Sequence, residues 1–467
     1  MLFSGIPFLY FFLPTVLILH RIVPKSFRNA VLFAASLVFY AYGEPVYALL
    51  MLGMALSGYL HGLWIVRAHS KLWKRIALTS SIVLGVGALG YFKYADFVIA
   101  TVNSVTGLGA SLIKIALPIG ISFYTFQTLS YTIDVYRDPS IVQKSFLKFA
   151  TYVTLFPQLI AGPIVRYTEI AQELDDRSLS LDNFSYGVRR FVLGLAKKVL
   201  LANIFGEFCA AYTSATSSSV LFVWANAIAY TLQIYFDFSG YSDMAIGLGR
   251  MLGFHFPENF NYPYIARSIT EFWRRWHMTL SQWFRDYVYI PLGGNRVKKW
   301  QWLLNILIVW GLTGLWHGAS WTFVAWGLFY AVLLMCEKLF LGKWLEKWPS
   351  IFRHIYVLAA VVFGFLIFNA ADFPSAAADI GRMFGAGGLP ISSVETMYYL
   401  KSFALVFLVG ILAATPLAKR LCDKLRGYTV GNKLLLVLEP IVLIVLLLVC
   451  TGYLVDGSFN PFLYFRF

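Results

Sequence analysis

Two histidines forty positions apart, His277 and His317, are the side chains here best suited to moving protons near neutral pH. Imidazole is the one side chain whose ordinary titration falls in that range. His317 sits in Trp316-His317-Gly318, near the middle of a run from Lys299 to Glu337 with no formal charge between its ends. An ionisable group in so apolar a stretch is costly and usually faces a cavity with a purpose. The other reading is a core histidine bonded to a backbone carbonyl, or one at a hairpin turn. His277 lies in 264–299, YIARSITEFWRRWHMTLSQWFRDYVYIPLGGNRVKK, where aromatic and basic residues alternate with too many charges for a spanning helix. Upstream, YFDFSGYSDMAIGLGRMLG sets Asp237 and Asp243 beside long apolar runs. Structural pairing with nearby arginines is the role that setting favours.

Neither histidine comes with a nucleophile motif. The chain has no P-loop, no G-x-S-x-G and no H-E-x-x-H, and its GLGRMLG has the wrong spacing for a dinucleotide fingerprint. Cys209, Cys336, Cys422 and Cys450 are isolated, with no metal or disulfide spacing. A histidine base without its own serine or cysteine nucleophile must act on a hydroxyl supplied from elsewhere.

The elements that position these residues belong to a membrane. Of 467 residues, 59% are hydrophobic and 13% charged, with a mean hydropathy of +0.68. Soluble domains run near 45–50% apolar and about 25% charged. Charge-poor runs of roughly 20 residues, the length of a spanning helix, recur about eleven times. The expected fold is therefore an all-α, polytopic helical bundle of roughly eleven spans with interfacial and re-entrant helices, forming one domain over 1–467. The net charge of +15 follows the positive-inside rule, and no basic run forms a soluble nucleic-acid module. Basic loops at 25–28, 67–75, 274–299, 338–353 and 419–433 place both termini outside. Residues 29–66, interrupted by Glu44-Pro45, read as a hairpin. Trp273, Trp276, Trp283, Tyr287 and Tyr289 suit an amphipathic segment at the headgroup level, with Glu271 and Arg275 spaced for an i,i+4 pair. Gly311, Gly314 and Gly318 permit close helix approach or a break.

Together YFDFSGYSDMAIGLG, SITEFWRRWHMTLSQWFRDYVYIPLGGNR and GLWHGASW, with LPIGISFYTFQTLSYTIDVYR and FPQLIAGPIVRY before them, resemble the membrane-bound O-acyltransferase (MBOAT) family, in its alginate O-acetyltransferase branch. The likeness covers roughly residues 1–370. It implies a bundle with a tunnel through the membrane and histidines at its narrow part, His317 matching the nearly invariant histidine and His277 the second polar position. It also implies transfer of an acyl group from a thioester donor, acetyl-CoA by analogy, to a hydroxyl, with no bound cofactor and no metal. On this basis His317 is the base, kept neutral by burial, and His277 orients the thioester or holds the acceptor. Trp316 and Asp237 are supporting positions. Arg274 and Arg275 draw an anionic donor or simply anchor the interface. The branch passes its acyl group outward, which implies an extracytoplasmic SGNH-type partner and a polysaccharide acceptor at a bacterial cytoplasmic (inner) membrane.

The chain ends GSFNPFLYFRF, and residues 455–467 are expected outside the membrane. The F-x-Y-x-x-F pattern at Phe462–Phe467 resembles the C-terminal motif of the small partner in teichoic acid D-alanylation. It makes Tyr464 a candidate acyl relay, against a plain aromatic belt anchor. A transporter or flippase would carry several intramembrane charges or related halves, and neither is found. A catalytically silent scaffold of an export complex is the remaining alternative.

Overall fold

The structure, a computed structural model, describes residues 1–457 together with Phe462 and Leu463. Every regular element among the described residues is helical. Five helices are long and apolar enough to cross a membrane, and a sixth span results if Val394–Ser402 and Ala404–Ala413, bent by 54°, act as one. The expected eleven goes beyond this test, because several apolar runs fold as shorter or broken helices, Phe8–Ile22 among them. The lipid-facing character is plainest in Thr429–Asp456. Its most apolar window is only 6% buried, and Leu436, Ile444 and Leu448 stand exposed. A contiguous apolar face of that size is not left in water. This helix also runs through Pro440 without a break.

The chain forms two compact units. One comprises Met1–Phe191 and Ser242–Glu258. Its hairpin of Arg28–Ala41 and Pro45–Arg67 turns at the expected Glu44-Pro45, with proline at the first helical position, where its missing N–H has no partner to lose. The helix Ile121–Arg137 is rich in Ser and Thr yet buried. Thr128, Ser130 and Thr132 donate their hydroxyls to carbonyls three or four residues back, so these three hydroxyls are satisfied within the helix. The polar stretch 166–190 folds as Tyr167–Asp175 and the start of Leu181–Ala196. Arg190 joins Asp243 at 2.7 Å and Glu258 at 2.5 Å, the arginine pairing expected of Asp243.

The second unit comprises Val192–Tyr241 and Asn259–Phe467. The charge-free run resolves into two helices, Lys299–His317 and Trp321–Cys336, and not one kinked helix. Ser320 caps the second by accepting from the backbone N–H of Thr322. The pair packs backbone to backbone. The carbonyl of Phe323 lies where a Cβ on Gly314 would be, and that of Trp310 lies against Gly327. Only glycine allows so close an approach. Gly318 meets the Phe323 ring, whereas Gly311, also expected at a contact, has nothing within 4 Å of its Cβ position. Ser350–Asn369 packs beside Trp321–Cys336. Between them lies an aromatic core that includes Phe272, Trp276, Trp326, Tyr330 and Phe368.

The segment 264–299 corrects an expectation. It is not one amphipathic surface helix but the short helices Ile269–Trp273 and Met278–Phe284, followed by a π turn at Arg285–Tyr289. Trp273, Trp276, Trp283 and Tyr287 are buried. Tyr289 alone of the five is partly open, its hydroxyl accepting from Trp302 Nε1. The rings fill the unit's interior because the helix breaks turn successive aromatics inward instead of along one stripe.

Candidate active site

The break between the two short helices creates the first part of the site. Ser268 caps Ile269–Trp273 by accepting from Glu271 N–H at 3.0 Å. The chain then turns so that His277 adopts φ +44° and ψ +54°, the left-handed region. For a residue with a Cβ this costs on the order of 1 kcal/mol. The cost is met by a backbone clasp: Met278 N–H donates to the Asn259 carbonyl at 3.0 Å, and Asn261 N–H to the Arg275 carbonyl at 2.9 Å. The imidazole of His277 is buried, with Nδ1 3.0 Å from Asn259 Oδ1 and Nε2 making no hydrogen bond within the protein.

His317 ends its helix, immediately before an extended Gly318. Its buried ring packs edge-on against Trp326 at 5.0 Å and Phe368 at 5.3 Å. Trp316 is the common neighbour: its ring centroid lies 5.0 Å from that of His317 and 5.7 Å from that of His277. The structure therefore brings together the two histidines and Trp316 that the sequence singled out.

Three buried donors stand around this group without a protein partner: Trp273 Nε1, Trp326 Nε1 and the Tyr330 hydroxyl. Their rings pack in one cluster, Trp273–Trp326 at 5.6 Å and Trp326–Tyr330 at 5.4 Å. Each donor left unbonded costs about 1–3 kcal/mol. No spacing rule pointed to Trp326, Tyr330 or Asn259. Asn259 is a lone polar residue in PENFNYPY, and nothing in the chain order links it to His277.

The other candidates are distributed differently. Arg274 is exposed. Arg275 is committed to Glu271 at 2.9 Å and to the Asn261 carbonyl. Asp237 does not pair with an arginine as expected. It is buried against Lys198 Nζ at 2.5 Å and accepts the Leu463 N–H at 2.7 Å. Phe462 lies edge-on to Tyr241 and beneath the Lys198 ammonium, 4.6 Å from its ring. The end of the chain is thus held in this unit at Phe462 and Leu463. Tyr464 lies outside the described residues. Among the described residues no three His, Cys, Asp or Glu side chains converge to hold a metal ion.

A multi-helix membrane protein with paired buried histidines fits a class that moves acyl groups between substrates. The profile of the membrane-bound O-acyltransferase family matches residues 138–371. The chain is similar to a probable alginate O-acetylase, AlgI, of Azotobacter vinelandii, 38% identical over the whole of both chains. It is likewise similar to AlgI of Pseudomonas putida, 39% identical over the whole of both. A peptidoglycan O-acetyltransferase of Helicobacter pylori is 34% identical over 84% of this chain and 81% of its own. The chain belongs to the MBOAT family: it is a multi-pass membrane acyltransferase.

Proposed function

We propose that this protein carries an acyl group, acetyl by its similarity to O-acetylases, from a cytoplasmic thioester such as acetyl-CoA toward a cell-surface polysaccharide in a bacterial inner membrane. The observation that carries this reading is the pair of buried imidazoles beside one indole, Trp316. The similarity along the whole chain to alginate O-acetylases favours an alginate-like exopolysaccharide over peptidoglycan or teichoic acid as the eventual acceptor.

A thioester is already activated, so the reaction needs a base for the accepting hydroxyl and donors for the developing oxyanion. His317 takes the hydroxyl proton as the oxygen attacks the thioester carbonyl. The tetrahedral intermediate collapses by breaking the C–S bond, and the leaving thiolate takes the proton back from the imidazolium. His277 orients the thioester or the acceptor across Trp316. The exposed Arg274 is available to an anionic donor, whereas Arg275 and Asp237 hold structure. No bound cofactor enters the scheme.

Tyr464 is the acceptor we assign for the first transfer. Phe462 and Leu463, just before Tyr464, are held by Lys198, Asp237 and Tyr241, which supports the relay in preference to a belt anchor in lipid. A phenyl ester is a good relay, because phenoxide leaves more readily than an alkoxide. An extracytoplasmic SGNH-type partner would then pass the acetyl to the polymer. One experiment separates the alternatives. His317→Ala should accumulate normally in the membrane and leave the polymer unacetylated, where a scaffold would still support acetylation. Tyr464→Phe should abolish both polymer acetylation and the acetyl adduct on the C-terminal peptide in mass spectrometry. Survival of acetylation in Tyr464→Phe refutes the relay, and survival in His317→Ala refutes the catalytic role.

A further inference from the structure

We propose that Asn259 is a positioning residue that locks His277 in the tautomer carrying its proton on Nδ1, leaving Nε2 as a proton acceptor. This rests on the acyl-transfer reading and assigns His277 a sharper part in it.

The argument is one of donors and acceptors. Asn259 Oδ1 lies 3.4 Å from the backbone N of Thr279, 2.9 Å from the Thr279 hydroxyl and 3.0 Å from His277 Nδ1. A backbone N–H only donates, so the terminal atom facing it is the amide oxygen. An amide oxygen only accepts. Nδ1 of His277 must therefore carry the proton and donate it to Asn259. In a neutral ring the other nitrogen is then bare. That nitrogen, Nε2, is the one that makes no hydrogen bond within the protein. A second observation agrees. His277 is held in the left-handed region, and the Asn259 carbonyl clasps the next residue through Met278 N–H at 3.0 Å. One residue fixes both the backbone turn and the ring's proton. The arrangement assigns to an amide the part that a carboxylate plays toward histidine in hydrolase triads, orienting the ring and choosing its tautomer. It does so without adding a charge to an apolar interior.

The neighbours that face the ring are Phe238 from Val220–Met251, and Trp316 and His317 from Lys299–His317. His317 is the only titratable group among them. A carboxylate placed at 259 would favour the protonated form of His277, whose Nδ1 it faces.

The test uses the full-length protein in lipid nanodiscs with acetyl-CoA as the donor. With no polymer present the acetyl group stays on Tyr464, so the signal is a burst of one CoA per chain and kcat denotes its rate constant. Asn259→Ala should lower kcat by about 100-fold or more, with KM for acetyl-CoA changed less than about threefold. Asn259→Asp keeps the acceptor, so it should retain activity to within about tenfold. The acid limb of its pH–rate profile should move to higher pH, because a carboxylate beside Nδ1–H favours the imidazolium. Nitrogen-15 NMR of the histidines gives a reading that does not depend on turnover. Wild type should show a bare, pyridine-type Nε2 on His277, and Asn259→Ala a mixture of tautomers. Wild-type kcat and pH profile in Asn259→Ala, or Asn259→Asp losing as much as Asn259→Ala with no shift of the acid limb, overturns the proposal, as does a protonated Nε2 in the wild-type spectrum. If wild type does not turn over acetyl-CoA, the donor reading fails and the spectrum alone decides the tautomer.

Discussion

Adding one methyl group at Gly327 tests whether the hairpin that carries His317 is set by backbone contact. In Gly327→Ala the new Cβ would lie 3.1 Å from the Trp310 carbonyl carbon and 3.2 Å from the Gly314 nitrogen, with the Trp310 oxygen nearer still. None of these is the end of a flexible side chain. The helices Lys299–His317 and Trp321–Cys336 must therefore part by on the order of 1 Å to restore ordinary contact. Overpacking of this kind costs about 1–3 kcal/mol, and the absence of a side chain that can yield puts the estimate at the upper end. The catalytic effect should be larger than the stability effect. A displacement near 1 Å of a reacting group costs about 100-fold in rate, and Gly327 is next to Trp326, which packs on His317. Gly311→Ala is the matched control on the same hairpin. Nothing lies within 4 Å of its Cβ position, so alanine should stabilise the helix by about 0.5–1 kcal/mol and leave turnover unchanged. Both variants are compared by thermal unfolding in nanodiscs and by CoA release from acetyl-CoA. Equal stability and equal turnover of Gly327→Ala and wild type would refute the idea that backbone contact sets the position of His317.

Two further outcomes follow from buried polar groups. Lys198 and Asp237 are 3% and 4% exposed, so Lys198→Met should destabilise by about 3–5 kcal/mol by leaving a buried carboxylate unpaired. The double variant Lys198→Met/Asp237→Leu should recover most of that loss. Because Asp237 also accepts the Leu463 N–H, the double variant should still free the C-terminal tail, seen as faster cleavage there by carboxypeptidase. If single and double variants unfold alike, the pair is not an interdependent unit. Tyr330→Phe removes a buried hydroxyl that lacks a protein partner, so stability should stay level or rise by up to about 1 kcal/mol. A loss above about 1 kcal/mol in chemical unfolding would mean that the hydroxyl is bonded within the protein after all.

The membrane class and the two histidines were legible in the sequence because both signals are local. Composition alone requires a lipid-exposed bundle, and a neutral run around a single histidine is readable without knowing what lies across from it. The hairpin at Glu44-Pro45 was equally plain, since proline starts helices for reasons contained in its own ring. What stayed hidden depends on partners distant in the chain. Nothing near Trp273 or Trp276 says that they face inward, because amphipathic and inward-broken segments share one composition. They separate only once the left-handed turn at His277 exists, and residues eighteen positions earlier, at Asn259, hold that turn. Asp237 was misassigned to arginine for the same reason: its true partner, Lys198, lies 39 positions upstream on another helix. Trp316 shows how the two kinds of information join. By sequence it is merely the neighbour of His317, yet by structure it is the surface against which the second histidine is also placed. Trp316 packs against both imidazoles, so substitutions there should displace both histidines at once.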